Sequence, residues 1–230
     1  MSIFPKQHCP EITWLGHAAF LLASSSGGVV LLDPYRAPDA GAYAPINVLA
    51  DVVLASHLNP KYHSHWDAAN GDPLRLNGLD IAAASGGVEA HGIRFQAVQV
   101  WESDERTVPV SMPYFQVDGV SVCHSCDLGH ALSPEEAAPI RGVDVFLAVA
   151  GGPPTISLPD LKAAIELIQP RLVIPMHYQN GKSNLPIQPL EDFLALFDPA
   201  QVDYYQSPTF MVCPESLPAA TRIAVLPSAL

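Results

Sequence analysis

The sequence predicts an α/β or α+β fold built on two sheets. Short apolar runs separated by turn signals recur along the 230 residues, which is typical of many short strands. Helical patterns are few and lie in the second half of the chain. Hydrophobic residues make up 49% of the chain and charged residues 15%, so a sizeable packed core can form. Because neither a repeat nor a linker-like segment interrupts this pattern, we expect residues 1–230 to form one domain.

The composition limits which binding partners and which cellular compartment are expected. The formal net charge is −12, with only 11 Lys and Arg, which argues against nucleic acid and anionic membranes and leaves a small-molecule substrate or ligand. No apolar run approaches the ~18 residues that a membrane span needs, and residues 1–11 lack the apolar core of a signal peptide. Four irregularly spaced cysteines suit a reducing cytoplasm. High apolar content with low charge is compatible with a homo-oligomer.

The first half of the chain reads as strands. Apolar runs predict them at 11–22 (broken near Gly16), 29–32, 48–55, 80–84 and 92–100. Asp118-Gly119 is the turn signal of a hairpin between strands at 114–117 and 119–123. Each of these runs is bounded by Gly, Pro or Asp, so the strands are short.

The second half adds the helices. Ser133-Pro134 opens a capping box, and a stripe of Leu and Ile between Ser157 and Pro170 predicts a helix over 157–169. A last short helix is predicted at 189–197. Further strands are predicted at 143–150, 172–174, 202–205, 209–213 and 222–226.

Ligand-capable side chains follow several of the predicted strands. In open sheets, sites collect beyond the carboxyl ends of strands, so histidines and carboxylates placed there could converge on one cation. The plain alternative is that strand ends are polar because loops are polar. The residues at these ends are His17, Asp33, His57, Glu102, Asp127 and His177.

These segments resemble the metallo-β-lactamase fold superfamily, in the branch of L-ascorbate-6-phosphate lactonase-like and related zinc-dependent hydrolases. The resemblance implies a four-layer αββα sandwich with a site at one edge of the two sheets. It also implies two metals, usually zinc, that activate water for attack on a carbonyl or phosphoryl group. The similar segments, in the family's order, are 12–20, 31–34, 51–57, 123–130, 143–152 and 170–178.

The family's His-x-His-x-Asp-His motif is only partly present. His57 fits its first histidine, whereas Asn59, Lys61 and Tyr62 stand where the second His, the Asp and the last His belong. A protonated lysine has no lone pair to give and repels a nearby cation. A full two-metal site is therefore not expected.

The remaining positions predict one altered metal site. Asp127 and His177 match family ligands, and Glu102 falls near the position of a later histidine, so the predicted ligands are His57, Asp127, His177 and Glu102. Three protein ligands plus water is the pattern of catalytic zinc, and iron or manganese would follow zinc in preference. The other prediction left open is that no metal is bound.

The neighbouring residues receive supporting roles. His17 and Asp33 resemble residues at the floor of the family's site and are expected to hold ligands rather than bind metal. His63 and His65 are expected on the following loop, facing solvent, with the alternative that they turn inward and replace lost ligands. Lys61 and Tyr62 could instead line a metal-free pocket.

Two functions follow from this reading. The first is a hydrolase in which Asp127 and His57 serve catalysis on a small ester, lactone or phosphoester. The second is a non-catalytic binding or assembly module that retains the fold. Cys123 and Cys126 form a lone Cys-x-x-Cys, which could be redox-active or bind metal, but its place at a strand end favours packing for Cys123 and an incidental position for Cys126.

Overall fold

The structure is a computed structural model that describes residues 8–230, and it confirms the predicted fold class. Mixed sheets dominate it and the helices are short. The strands, in chain order, are β1 (Glu11–Gly16), β2 (Ala19–Ala23), β3 (Val29–Leu32), β4 (Val48–Leu49), β5 (Val52–Ala55), β6 (Ala69–Asn70), β7 (Leu74–Asn77), β8 (Val88–Ala90), β9 (Ile93–Trp101), β10 (Pro109–Val117), β11 (Val120–His124), β12 (Val145–Val149), β13 (Leu172–Met176), β14 (Val202–Tyr204), β15 (Thr209–Met211) and β16 (Arg222–Val225). The α-helices are α1 (Gly78–Ala83), α2 (Pro134–Ala137), α3 (Leu158–Ile168) and α4 (Leu190–Leu194).

Two large sheets carry the fold. One has the strand order β15-β1-β2-β3-β5-β7 and the other the order β14-β16-β13-β12-β11-β10-β9-β8, while β4 and β6 pair separately. Strands β3, β5 and β7 are parallel in the first sheet, and β11, β12 and β13 are parallel in the second. The carboxyl ends of parallel neighbours meet at one edge of each sheet, and the predicted site residues follow these ends.

The two sheets share one core. Alternate residues of β5 divide between its faces: Val52 and Leu54 join the core between the sheets, whereas Val53 packs on the opposite face. Phe20 of β2 and Phe146 of β12 are fully buried in the same core. Burying side chains of this size contributes about 1.5–3 kcal/mol each, so the core holds the strand ends in place.

One helix and the hairpin follow the sequence prediction closely. Helix α3 begins after Ser157, whose hydroxyl accepts a hydrogen bond from the backbone N–H of Asp160, and it buries Leu161 and Ile165. Asp118 and Gly119 join β10 to β11 as an antiparallel hairpin. Both features depend on local signals, which is why the sequence predicted them.

The predicted strand at 80–84 is wrong, because this segment forms helix α1. The side chain of Asn77 accepts a hydrogen bond from the backbone N–H of Leu79 and so caps a helix at its start. Ile81 is buried while its neighbours in the helix are not, which is the pattern of one helical turn on a sheet. Five residues are too few for hydrophobic periodicity alone to separate the two structures.

The expectation that the cysteines stay reduced is also wrong for one pair. Cys9 and Cys213 form a disulfide, and Cys123 and Cys126 are free and buried. The argument for a reducing cytoplasm therefore does not hold for this pair. No helix within residues 8–230 is long and apolar enough to cross a bilayer. The expectation about a signal peptide concerns in part residues 1–7, which lie outside the described residues.

Candidate metal centre

The predicted site residues lie just beyond strand ends. His17 follows β1, Asp33 follows β3, His57 follows β5 by two residues, and His177 follows β13. All four side chains are buried, with 7% or less of their surface exposed. Polar side chains this deep need partners, so their contacts define the site.

Four residues that follow strand ends have a backbone conformation that L-amino acids rarely adopt. The φ angles of His17, Asp33, Cys126 and His177 are 49°, 42°, 54° and 52°. Left-handed backbone at a residue other than glycine costs about 1–3 kcal/mol and persists where surrounding contacts hold it. Such conformations concentrate at functional sites, and nothing in the sequence pattern marked them in advance.

His63 occupies the centre of the cluster, and the expectation that it faces solvent is wrong. Its side chain is fully buried, with Nδ1 2.9 Å from Asp33 Oδ2 and Nε2 2.8 Å from Asp127 Oδ2. Burial alone would lower the pKa of His63, but the carboxylates of Asp127 and Asp33 raise that pKa to about 10. The imidazole is therefore held as a cation between two carboxylates.

The spacing along the loop explains why this was missed. The family motif places its last histidine five residues after the first, at Tyr62, whereas His63 lies one residue further on. His63, rather than the residue at the motif position, is the side chain that is fully buried in the site. His65, two residues later, is half-buried, and its backbone N–H donates to the carbonyl of Pro34.

Asp127 is surrounded by histidines. His63 contacts one carboxylate oxygen of Asp127, and His177 Nε2 lies 3.7 Å from the other oxygen. His57 is also near enough to interact electrostatically with this carboxylate. Burial would raise the pKa of Asp127, but His63, His177 and His57 hold that pKa well below its usual range. The carboxylate is therefore ionised, as a metal ligand must be.

Buried polar atoms without a hydrogen-bond partner lie in the same region. They include Asp127 Oδ1, His177 Nδ1 and His17 Nε2. The His17 and His177 rings are in edge contact, with centroids 4.4 Å apart. Burial is the main cause that lowers the pKa of both histidines, so both are neutral and His177 keeps a lone pair. The unpaired carboxylate oxygen Asp127 Oδ1, with Nε2 of the neutral His177 3.7 Å away, fits a cation at Asp127.

A cavity of about 330 Å³ opens beside these residues. Asn59, Tyr62 and Glu102 line it together with His63, Asp127 and His177. Burial, and next the charge of Asp127, raise the pKa of Glu102. Lys61 is exposed and does not line the cavity. The rest of the wall is mostly small or apolar, with Ser103, Val108, Pro154, Thr155 and Leu185.

The closest group of three donor atoms differs from the predicted ligand set. Within residues 8–230, atoms of His57, His63 and Cys126 lie within 4.8 Å of one another, and the second such group contains the disulfide Cys9–Cys213. The predicted set of His57, Asp127, His177 and Glu102 is not drawn together to that degree. Asp127, His177 and Glu102 line the same cavity, whereas His57 does not line it and acts on Asp127 through its charge.

Comparison with known proteins places the chain in a family. The family described as the beta-lactamase superfamily domain matches residues 11–177. A protein of Archaeoglobus fulgidus named UPF0173 metal-dependent hydrolase is 31% identical over 195 residues, which span 73% of this chain and 83% of that protein. Its counterpart in Pyrococcus furiosus is 28% identical over 191 residues, with coverages of 73% and 84%.

A solved structure extends the similarity to most of the chain. The crystal structure of a Thermotoga maritima protein, assigned to Zn-dependent hydrolases of the metallo-β-lactamase superfamily, has a TM-score of 0.75 and 28% identity. It covers 94% of this chain, and 98% of that protein is matched. A protein of Parabacteroides distasonis shares the fold, with a TM-score of 0.63 at 15% identity.

The chain therefore belongs to the metallo-β-lactamase superfamily, as the sequence segments indicated. Within the superfamily it groups with the UPF0173 proteins.

Proposed function

We propose that this protein is a metal-dependent hydrolase with one divalent cation centred on Asp127. The observation that supports the proposal most directly is the buried carboxylate of Asp127 with His63 Nε2 2.8 Å from one oxygen and His177 Nε2 3.7 Å from the other, and with His57 close enough to act on its charge. His63 would join the ligands predicted from the sequence by giving up its Nε2 proton when the cation binds, since a histidine ligand must be neutral. The relatives named metal-dependent hydrolases support the same class of activity.

The residue chemistry favours a particular class of metal. Imidazole and carboxylate donors suit zinc first and iron or manganese next. When bound, a divalent cation supplies a Lewis acid and lowers the pKa of a bound water toward neutrality. Asn59, Lys61 and Tyr62 give no ligands to a second metal, so the proposal is a mononuclear centre.

The protein's own residues orient the ligands and hold protons close to the reacting atoms. Asp33 holds the Nδ1 side of His63, so that its Nε2 side faces Asp127. Asp127 is ionised and can accept a hydrogen bond from water, which orients the water without removing its proton, because the lowered pKa of Asp127 makes this carboxylate a weak base. Glu102 lies on the cavity wall with a raised pKa and is placed to hold a proton near a leaving group.

The cavity favours a small uncharged substrate. Its volume of about 330 Å³ suits a small molecule, and among the described lining residues there is neither Lys nor Arg to pair with a phosphate. We therefore place a small ester or lactone ahead of a phosphoester. The lactonase-like specificity implied by the family resemblance belongs to this proposal.

Metal analysis tests the proposal. The protein purified without a histidine tag should hold about one zinc, iron or manganese ion per chain, and Asp127→Ala and His177→Ala should lose it. His91→Asn, an exposed histidine outside the cluster, is the control and should keep the metal. Hydrolysis of aryl esters and lactones should follow the metal content across these variants.

A second candidate function is a non-catalytic binding module. Its support is the arrangement of Asp33, His63 and Asp127, in which the histidine cation already compensates both carboxylates. A protein that takes up no metal even after loading, yet binds a ligand in the cavity, would establish this candidate and overturn the hydrolase.

A further inference from the structure

The hydroxyl of Ser56 is a junction between three buried side chains. Its Oγ lies 2.7 Å from Asp33 Oδ2, 2.8 Å from Cys126 Sγ and 3.2 Å from His57 Nδ1. Ser56 and Cys126 are both fully buried. Neither residue has a role in the proposed function, yet both reach a predicted metal ligand.

Proton counting determines the direction of each hydrogen bond. A serine hydroxyl has one proton to donate and two lone pairs that accept. The carboxylate of Asp33 can only accept, so Ser56 Oγ donates to it. We assign the thiol proton of Cys126 to Ser56 Oγ, because this acceptor lies 2.8 Å from Sγ and the alternative, His57 Nδ1, lies 3.5 Å away. The remaining lone pair of Ser56 faces His57 Nδ1, which must then carry a proton.

This assignment fixes the tautomer of His57. With the proton on Nδ1, the lone pair of the neutral ring is on Nε2. Asp33 acts in the same way on His63, because Oδ2 of that carboxylate also accepts from Nδ1 of His63 at 2.9 Å. One buried carboxylate thus orients two histidines, His63 directly and His57 through Ser56.

We propose that Ser56 and Cys126 are positioning residues that hold His57 with Nε2 free for a cation. This rests on the proposed function. Histidines that bind metal commonly donate their other N–H to a carboxylate, which fixes the ring and raises its basicity. Here the carboxylate reaches His57 through a hydroxyl, and the thiol of Cys126 occupies the second acceptor site of that hydroxyl.

The backbone of Cys126 supports a specific purpose for this side chain. Its φ of 54° is strained for any residue with a Cβ. The strained turn follows β11 and directs Sγ at Ser56, with His57 Nδ1 3.5 Å away. A packing role alone would be met by an ordinary backbone, as it is for Cys123 on β11.

The test compares four variants in the full chain. Ser56→Ala removes the junction, Cys126→Ala removes the thiol donor and Cys126→Ser restores a donor. Cys123→Ala is the matched control, since it removes another fully buried thiol three residues away. Circular dichroism establishes that each variant is folded.

Two readouts separate positioning from simple packing. Nitrogen-15 NMR of labelled histidines in the metal-free protein should show His57 as the Nδ1–H tautomer, and Ser56→Ala should convert it to a mixture. Zinc affinity by chelator competition should fall about 10–100-fold in Ser56→Ala. The zinc affinity should fall less in Cys126→Ala, return to the wild-type value in Cys126→Ser and stay unchanged in Cys123→Ala.

Two results would overturn the inference. One is an unchanged tautomer in Ser56→Ala. The other is a sulfur-to-metal charge-transfer band in the cobalt-loaded protein that Cys126→Ser abolishes, since Cys126 would then be a ligand beside His57 and His63. If the wild type binds no metal, the hydrolase proposal fails, and the tautomer of the metal-free protein still decides the positioning role.

Discussion

His63 shows most clearly what an individual residue contributes to this site. Its neighbours in sequence suggest a polar loop, yet its ring is fully buried between Asp33 and Asp127. Two carboxylates with no counter-charge at this depth would be strongly unfavourable. The cationic ring therefore stabilises the metal-free protein as well as lying where a metal ligand is needed.

Replacing His63 should destabilise the metal-free protein substantially. His63→Ala leaves Asp33 and Asp127 buried without their shared partner, so we expect the free energy of unfolding to fall by about 3–5 kcal/mol. Urea denaturation of the metal-free protein measures this free energy of unfolding. His65→Ala, in the same loop and half-buried, should cost less than about 1 kcal/mol. Equal losses in both variants would show that the ion pairs around His63 do not stabilise the fold.

Gly129 offers a second test at this scale. A Cβ at this position would overlap the backbone carbonyl of Glu102, and the Gly129 N–H already donates to the carbonyl of Trp101. Gly129→Ala should push away the loop that carries Glu102, with a loss of about 1–3 kcal/mol and reduced hydrolysis. Gly28→Ala, where a Cβ meets open space, is the control. Unchanged stability in Gly129→Ala would mean that the loop is free to move.

The strands position the site residues relative to one another, and most of the strands and helices were predictable from the sequence. Parallel strands β3 and β5 place Asp33 beside Ser56, and β11 places Asp127 opposite them from the second sheet. Alternation of apolar residues and short-range capping signals predicted most of these elements. The segment 80–84 was the exception, because a cap at Asn77 outweighed a five-residue apolar run.

Helix α3 provides a test of capping at the element scale. Ser157→Ala removes the acceptor for the N–H of Asp160, so we expect a loss of about 1 kcal/mol, measured by guanidinium denaturation. Glu166→Gln on the exposed face weakens only the pairing with Lys162, whose Nζ lies 3.9 Å away, and should cost a few tenths of a kcal/mol. A larger effect from Glu166→Gln would contradict this ranking.

On the scale of the whole molecule, the disulfide joins two segments that are distant in the sequence. Cys9 precedes β1 and Cys213 follows β15, and these strands are paired at the edge of the six-stranded sheet. The two cysteines are 204 residues apart in sequence. A crosslink across so long a loop restricts the unfolded chain strongly.

Thiol counting tests this crosslink. The native protein should show almost no reactive thiol, because Cys123 and Cys126 are buried and burial raises the pKa of both. Unfolding without reductant should expose two thiols, and reduction should expose all four. Reduction should also lower the free energy of unfolding by about 2–5 kcal/mol, and Cys213→Ser should reproduce that loss. Four thiols without reductant would mean that the disulfide is absent.

The sequence by itself determined the fold class, most strands, helix α3, the family and the edge where the site lies. These depend on alternation, caps and motif segments, which are local, and the loss of family ligands at Asn59, Lys61 and Tyr62 was equally readable. Only the tertiary structure decided that His63 turns inward, that Ser56 and Cys126 meet His57, and that Cys9 pairs with Cys213. His63 is 30 residues from Asp33 and 64 from Asp127, and Cys126 is 70 from Ser56. Contacts over such separations depend on how two sheets pack, and no local pattern encodes which way a loop side chain then points.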